Sequence, residues 1–160
     1  MATMTRYNAI LSLATTLIGQ AQPGFANPDP DALDKITHAI DAVTLEDWEA
    51  ETLTRIAWWE SGFRKEYVNC TVVNGKARGA FQVVPFTRAE VLDACSSNFE
   101  IQAKLAVSRA RSSRSQCERA GFRGSDVLGV YTTGRCQRGE PFARLRFGDG
   151  TVLRSLINRP

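Results

Sequence analysis

Ala57-Trp58-Trp59-Glu60-Ser61-Gly62-Phe63 sets one carboxylic acid among apolar neighbours at the end of a helix, and the rest of the chain is organised around it. Counting back from Glu60, Ala57 stands at i−3, Ile56 at i−4 and Leu53 at i−7, so the carboxyl shares the apolar face of that helix. Gly62 is a stop signal, which puts Glu60 in the last turn beside unsatisfied carbonyls and the negative end of the helix dipole. Burial and dipole both disfavour the ionised form. A Glu raised in pKa by burial against aromatics such as Trp58 or Trp59 has the property a general acid needs near neutral pH. The plainer alternative is a surface Glu at a frayed helix end.

Thr44 is expected to cap this helix, whose apolar positions are Leu45, Trp48, Leu53 and Ile56. Upstream, Asp29 as cap and Pro30 at the first helical position open another helix, with Leu33, Ile36, Ile40 and Val43 at helical spacing. His38, the only histidine, falls off that stripe and has no Ser or Cys partner motif, so it reads as a surface residue. Tyr7, Ile10, Leu11, Ala14, Leu17 and Ile18 predict an amphipathic first helix, too short and too polar to span a membrane. Residues 1–44 are thus expected as N-terminal helices packed on the domain. The alternative is a signal peptide over 1–26, with Arg6 in its charged region and Gly24-Phe25-Ala26 as a poor cleavage site.

Downstream, residues 71–73 and 76–84 are β-prone and flank Asn74-Gly75, a strong two-residue hairpin signal, with Pro85 ending the element. Two capping boxes follow. One runs from Thr87 to Glu90 and opens a short helix to about Cys95; the other runs from Ser97 to Glu100 and opens a longer one to about Arg119. Ser125 is expected to cap a helix through Tyr131 that stops at Gly134, Pro141 to begin a short one, and residues 151–158 to form a terminal helix after the Gly148-Asp149-Gly150 turn. The sum is a mainly α domain, bundle-like, with one small antiparallel β hairpin inserted after the helix that bears Glu60.

The 160 residues suffice for one domain with its own core. A net charge of +3 hides an asymmetry: residues 1–100 carry 8 Lys/Arg against 13 Asp/Glu, and residues 101–160 carry 12 against 4. The basic half fits a polyanionic partner, or is simply solvated helix surface. It has no groove-reading motif and no interleaved aromatics, so no specific nucleic-acid partner is expected. Cys70, Cys95, Cys117 and Cys136 are too widely spaced for a zinc site, and no metal or other cofactor is expected. Of the three possible pairings, Cys70 with Cys95 and Cys117 with Cys136 is the one favoured; four buried free thiols are the alternative.

Three segments then carry a resemblance. Glu60-Ser61, the run from Ala77 through Gly79, Phe81, Gln82 and Pro85 to Thr87, and Val130-Tyr131-Thr132-Thr133-Gly134 resemble, in order and spacing, the three signatures of the soluble lytic transglycosylases and the goose-type lysozymes. Those families read as a catalytic Glu followed by Ser, a Gly-x-x-Gln-[Ile/Val]-x-Pro-x-Thr segment, and an Ala-Tyr-Asn-Ala-Gly segment. Thr132 and Thr133 depart from the third. The resemblance covers residues 45–136 and implies a lysozyme-like α+β catalytic domain over 45–160, its β hairpin next to the active-site cleft.

What it implies chemically is cleavage of the β-1,4 bond between N-acetylmuramic acid and N-acetylglucosamine in peptidoglycan. Glu60 would be the only catalytic carboxyl, acting first as acid and then as base on the muramoyl 6-hydroxyl, which closes a 1,6-anhydro ring. Gln82 and Tyr131 match residues that bind sugar, Ser61 matches the partner beside the Glu, and Phe81 would line the cleft and stack on a sugar face. The partners implied are glycan strands of peptidoglycan, met at the bacterial cell wall by a monomer that a virion, a secretion apparatus or an N-terminal signal delivers. A hydrolytic lysozyme is the nearest alternative, with Glu66, Glu90 and Asp93 as candidate second carboxylates. A wall-binding structural component without turnover is the other.

Overall fold

Two helices carry the packing. The computed structural model describes residues 3–20, 28–73, 75–139 and 143–159. Along them run α1 (Arg6–Gly19), α2 (Pro30–Val43), α3 (Asp47–Ser61), α4 (Lys65–Val68), α5 (Arg88–Ala94) and α6 (Phe99–Arg119). A 3-10 turn (Gly124–Leu128) leads into α7 (Gly129–Thr133), and α8 (Ala143–Arg146) and α9 (Thr151–Ile157) complete the order. Helix α3 packs against α1, α2, α6, α8 and α9, while α6 packs against α2, α5, α7 and the 3-10 turn. Among the described residues no helix is long and apolar enough to cross a membrane.

Helix α3 is central because it can be buried almost all round. Ala50, Leu53, Ile56 and Ala57 are fully buried, and so are Thr52 and Thr54, whose hydroxyls find partners. Thr54 Oγ1 donates to the Ala50 carbonyl at 2.7 Å, and Thr52 Oγ1 donates to the Gly148 carbonyl at 2.9 Å. The buried Glu51 carboxylate accepts the Leu153 amide at 3.0 Å. Gly148 lies so close that a Cβ there would stand 2.3 Å from Glu51 Cγ. These ties draw the C-terminal chain onto α3. Arg111 of α6 pairs with Glu49 of α3. Burial works to raise the Glu49 carboxyl, but Arg111 and the amides of Leu45 and Glu46 outweigh it and hold it below its ordinary value.

Helices α1 and α2 form where the apolar stripes put them, with faces turned slightly: Ile10 and Ala14 are buried in α1 together with Ala9 and Leu13 while Tyr7 and Leu11 are only partly buried, and Ile36 and Ile40 are buried in α2 together with Ala39. Asp29 accepts the Ala32 amide at 3.1 Å with Pro30 at the first helical position. Two caps differ from expectation. Thr44 ends α2, its hydroxyl donating to the Ile40 carbonyl at 2.6 Å, and α3 instead begins after Glu46, whose amide donates to Glu49 Oε1 at 3.1 Å. Helix α6 is capped by Asn98, not Ser97, through the Glu100 amide at 3.1 Å. The Ser125 segment is a 3-10 turn before α7, which Gly134 ends in a left-handed conformation. Pro141 and Gly24-Phe25-Ala26 lie outside the described residues.

The β hairpin is not formed. Among the described residues there is no strand, only one isolated antiparallel bridge between Arg78 and Val83. Asn74 lies outside them. Residues 71–73 turn back on α4: the Val72 amide and the Thr71 hydroxyl both donate to the Glu66 carbonyl, at 2.9 and 3.0 Å. After Arg78 the chain reverses at once, with φ of 76° at Gly79 and 45° at Gln82. The Arg78 and Val83 backbones bond each other across this tight turn, and the Ala80 amide inside it donates to Gln102 Oε1 of α6 at 2.9 Å, so no longer ladder extends from it. Gln102 is buried, and its Nε2 donates to the carbonyls of Val68 (3.0 Å) and Ser96 (2.8 Å), so one side chain joins the end of α4, the Ala80 turn and the α5–α6 connection.

Two disulfides, Cys70–Cys95 and Cys117–Cys136, make the favoured pairing. Each closes a short loop and limits the unfolded chain by about 3 kcal/mol.

Candidate active site

Glu60 sits in the last turn of α3, which Gly62 closes with φ of 59° in the left-handed region. Its side chain is partly buried, 22% exposed, above the fully buried Ile56 and Ala57. One neighbour was not legible in the sequence: Arg146 of α8, whose Nε lies 3.0 Å from Glu60 Oε1 and whose guanidinium stands 5.9 Å from the Trp59 ring centre. The pair arises because Thr52, Glu51 and Gly148 hold the chain just after α8 against α3. Electrostatically, the guanidinium favours the charged carboxylate and opposes the effect of burial and helix dipole.

The other predicted residues fall in different places. Ser61 is fully buried, its hydroxyl donating to the Ala57 carbonyl at 2.9 Å and accepting the Phe63 amide at 3.3 Å, so it finishes α3. Phe81 is a correction: its ring is 1% exposed and packed in the core, leaving no open face for a sugar. Its carbonyl is what faces the site, accepting the Tyr131 hydroxyl at 2.9 Å. Gln82 is half-buried in its left-handed turn, where its Nε2 donates to the Gly79 carbonyl at 2.8 Å. Tyr131 gathers these parts. Burial first, then the negative charge of Glu60, push its hydroxyl above the ordinary tyrosine value, against smaller opposing effects of Arg146 and Arg109. It therefore stays protonated, a donor held on the Phe81 carbonyl.

Tyr131 also lines a cleft of about 680 Å³. It is lined by Val83, Val84 and Phe86 from the segment before α5, by Arg109, Ser112 and Gln116 of α6, and by residues 130–134. Glu90 lines it too, its carboxylate accepting the Phe86 amide at 2.6 Å and pairing with Arg109 Nη2 at 2.5 Å. Those contacts hold the Glu90 carboxyl below its ordinary value, the Phe86 amide first and Arg109 next among the causes that lower it.

Ser113, like Arg146, carried no signal in the sequence, since a serine in a polar helix stripe looks solvated. It is fully buried, its hydroxyl donating to the Val127 carbonyl at 2.8 Å and accepting the Tyr131 amide at 3.2 Å. Ser113→Ala leaves both groups unmet and should destabilise the protein by about 1–2 kcal/mol. A melting temperature lower by roughly 5 °C is the expected reading, and an unchanged one would show that water replaces the hydroxyl without loss.

Compared with protein-family models, curated proteins and solved structures, the chain matches none.

Proposed function

We propose that this protein is a peptidoglycan lytic transglycosylase that uses Glu60 in turn as acid and as base. The observation that carries the reading is the hydrogen bond from Tyr131 to the Phe81 carbonyl, 2.9 Å, with the Tyr131 hydroxyl held within the electrostatic reach of Glu60. That bond joins the segments carrying two of the motifs, and its donor feels the charge of Glu60, which carries the third. Protonated Glu60 delivers its proton to the glycosidic oxygen as the bond to the muramoyl C1 breaks. The muramoyl 6-hydroxyl then attacks C1, and the Glu60 carboxylate takes its proton, so the acid is regenerated and the product ends in a 1,6-anhydro ring. Arg146 favours the form needed in the second half of that cycle.

The setting is the bacterial cell wall. Two disulfides suit an oxidising compartment, and the basic second half suits an anionic polymer. The enzyme acts on glycan strands as a monomer, delivered by a virion, a secretion apparatus or its own N-terminal signal.

One observation favours a second reading. Of the three candidate carboxylates for a hydrolytic lysozyme, Glu90 lines the cleft, whereas Glu66 and Asp93 are exposed. Its commitment to Arg109 and the Phe86 amide weighs against a role as base on water. Mass analysis of digested peptidoglycan decides: anhydromuramoyl ends are expected, and reducing muramoyl ends alone would replace transglycosylation by hydrolysis.

A further inference from the structure

We propose that Phe86 is the platform on which a hexosamine ring of the glycan strand stacks at the rim of the cleft, an assignment that rests on the glycan-cleaving reading. Phe86 is 79% exposed, an unusual place for a ring of that size unless something meets it. It is also held in place. The Arg109 guanidinium carbon lies 3.8 Å from its ring centre, Arg109 Nη2 pairs with Glu90 Oε2 at 2.5 Å, and Glu90 Oε2 accepts the Phe86 backbone amide at 2.6 Å. Ring and backbone are thus tethered to one ion pair, and little side-chain freedom remains to be lost on binding. With the guanidinium on one face, the other is left for a ligand.

The surroundings say which ligand. A pyranose ring offers an apolar face of C–H groups to the negative face of an aromatic ring, with hydroxyls around its edge. Beside Phe86 the cleft supplies Ser112 and Gln116 from α6 and Thr132 and Thr133 from α7, hydroxyl and amide groups suited to that edge and to an N-acetyl substituent. A lipid surface would engage a convex apolar face, but Phe86 opens on a concavity in which valines alternate with hydroxyl and amide groups. Leu92, 67% exposed on α5 and not among the groups named for the cleft, serves as the control.

The test measures binding of chitohexaose, a β-1,4-linked N-acetylglucosamine hexamer, by calorimetry in the Glu60→Gln background, with parallel sedimentation on phosphatidylglycerol vesicles. Adding Phe86→Ala is expected to weaken hexamer binding about tenfold, Phe86→Trp to restore it, and Leu92→Ala to leave it unchanged. The exposure of Phe86 means that each variant should melt like its parent. Equal affinity with and without the ring, in a chain that still cleaves peptidoglycan, overturns the platform alone. Loss of vesicle binding with unchanged hexamer affinity overturns it in favour of a membrane contact. A parent that neither binds the hexamer nor, with Glu60 restored, cleaves peptidoglycan overturns the reading of the whole site.

Discussion

Glu60→Gln abolishes clearing of peptidoglycan in a zymogram, by at least a hundredfold in rate, while the far-ultraviolet circular dichroism stays that of the parent: this is the expected result if one carboxyl serves both half-reactions. Gln is nearly the same shape as Glu, and its amide oxygen can take the place of Glu60 Oε1, which lies 3.0 Å from Arg146 Nε in the parent. What it cannot do is give up a proton or take one. The charge pair is lost, and because the Glu60 side chain is 22% exposed the stability cost should be about 1 kcal/mol, less than for a fully buried pair. Glu60→Asp retracts the same chemistry by one methylene and should leave a small residual rate. Clearing by Glu60→Gln at the parental rate would falsify the single-acid mechanism.

The second large effect falls on Gly79. Two penalties meet there. Its φ of 76° lies in the left-handed region, and a Cβ would stand 2.0 Å from the Ala94 carbonyl oxygen and 2.7 Å from Gln102 Oε1. Neither obstacle can swing away: one is backbone and the other is a buried side chain with every polar atom engaged. Gly79→Ala should therefore cost about 3–4 kcal/mol, strain and overpacking together, and lower the melting temperature by roughly 10 °C. Gly75 supplies the comparison, with φ of 61° and open space around the missing Cβ. Gly75→Ala should cost only the strain, about 1 kcal/mol. Equal melting temperatures for the two variants would mean that the loop moves aside and that its close packing on α5 and α6 is unimportant.

The helices were legible because their signals are local. The period of the apolar residues in α1 and α2, Pro30 at a first turn and Gly62 at a stop each act within a few residues of the element they define. The cysteine pairing of near neighbours was legible for the same reason. The hairpin was misread because Asn74-Gly75 and the flanking valines are local β signals, while the interactions that decide the segment come from Glu66 and from Gln102. Phe81 was misread because a motif fixes order along the chain and not which atom faces the site; there the backbone carbonyl does, and the ring joins the core. Arg146 and Ser113 were invisible because their roles depend on contacts made across the fold. An arginine in a basic stretch and a serine in a polar helix have nothing in their neighbours to set them apart.

The disulfides have a mechanical consequence. Cys95 stands just before α6 and Cys117 within its last turns, so the two bonds close covalent rings at opposite ends of one 21-residue helix. One ring carries Val83, Val84 and Phe86; the other carries residues 130–134; and the rod between them bears Arg109, Ser112 and Gln116. The cleft is thus a groove whose two laced sides hang from one stiff beam and are latched to each other by the Tyr131 hydroxyl on the Phe81 carbonyl. Removing that latch in Tyr131→Phe should let the two sides open as separate cooperative units, exchanging their amide hydrogens at different rates.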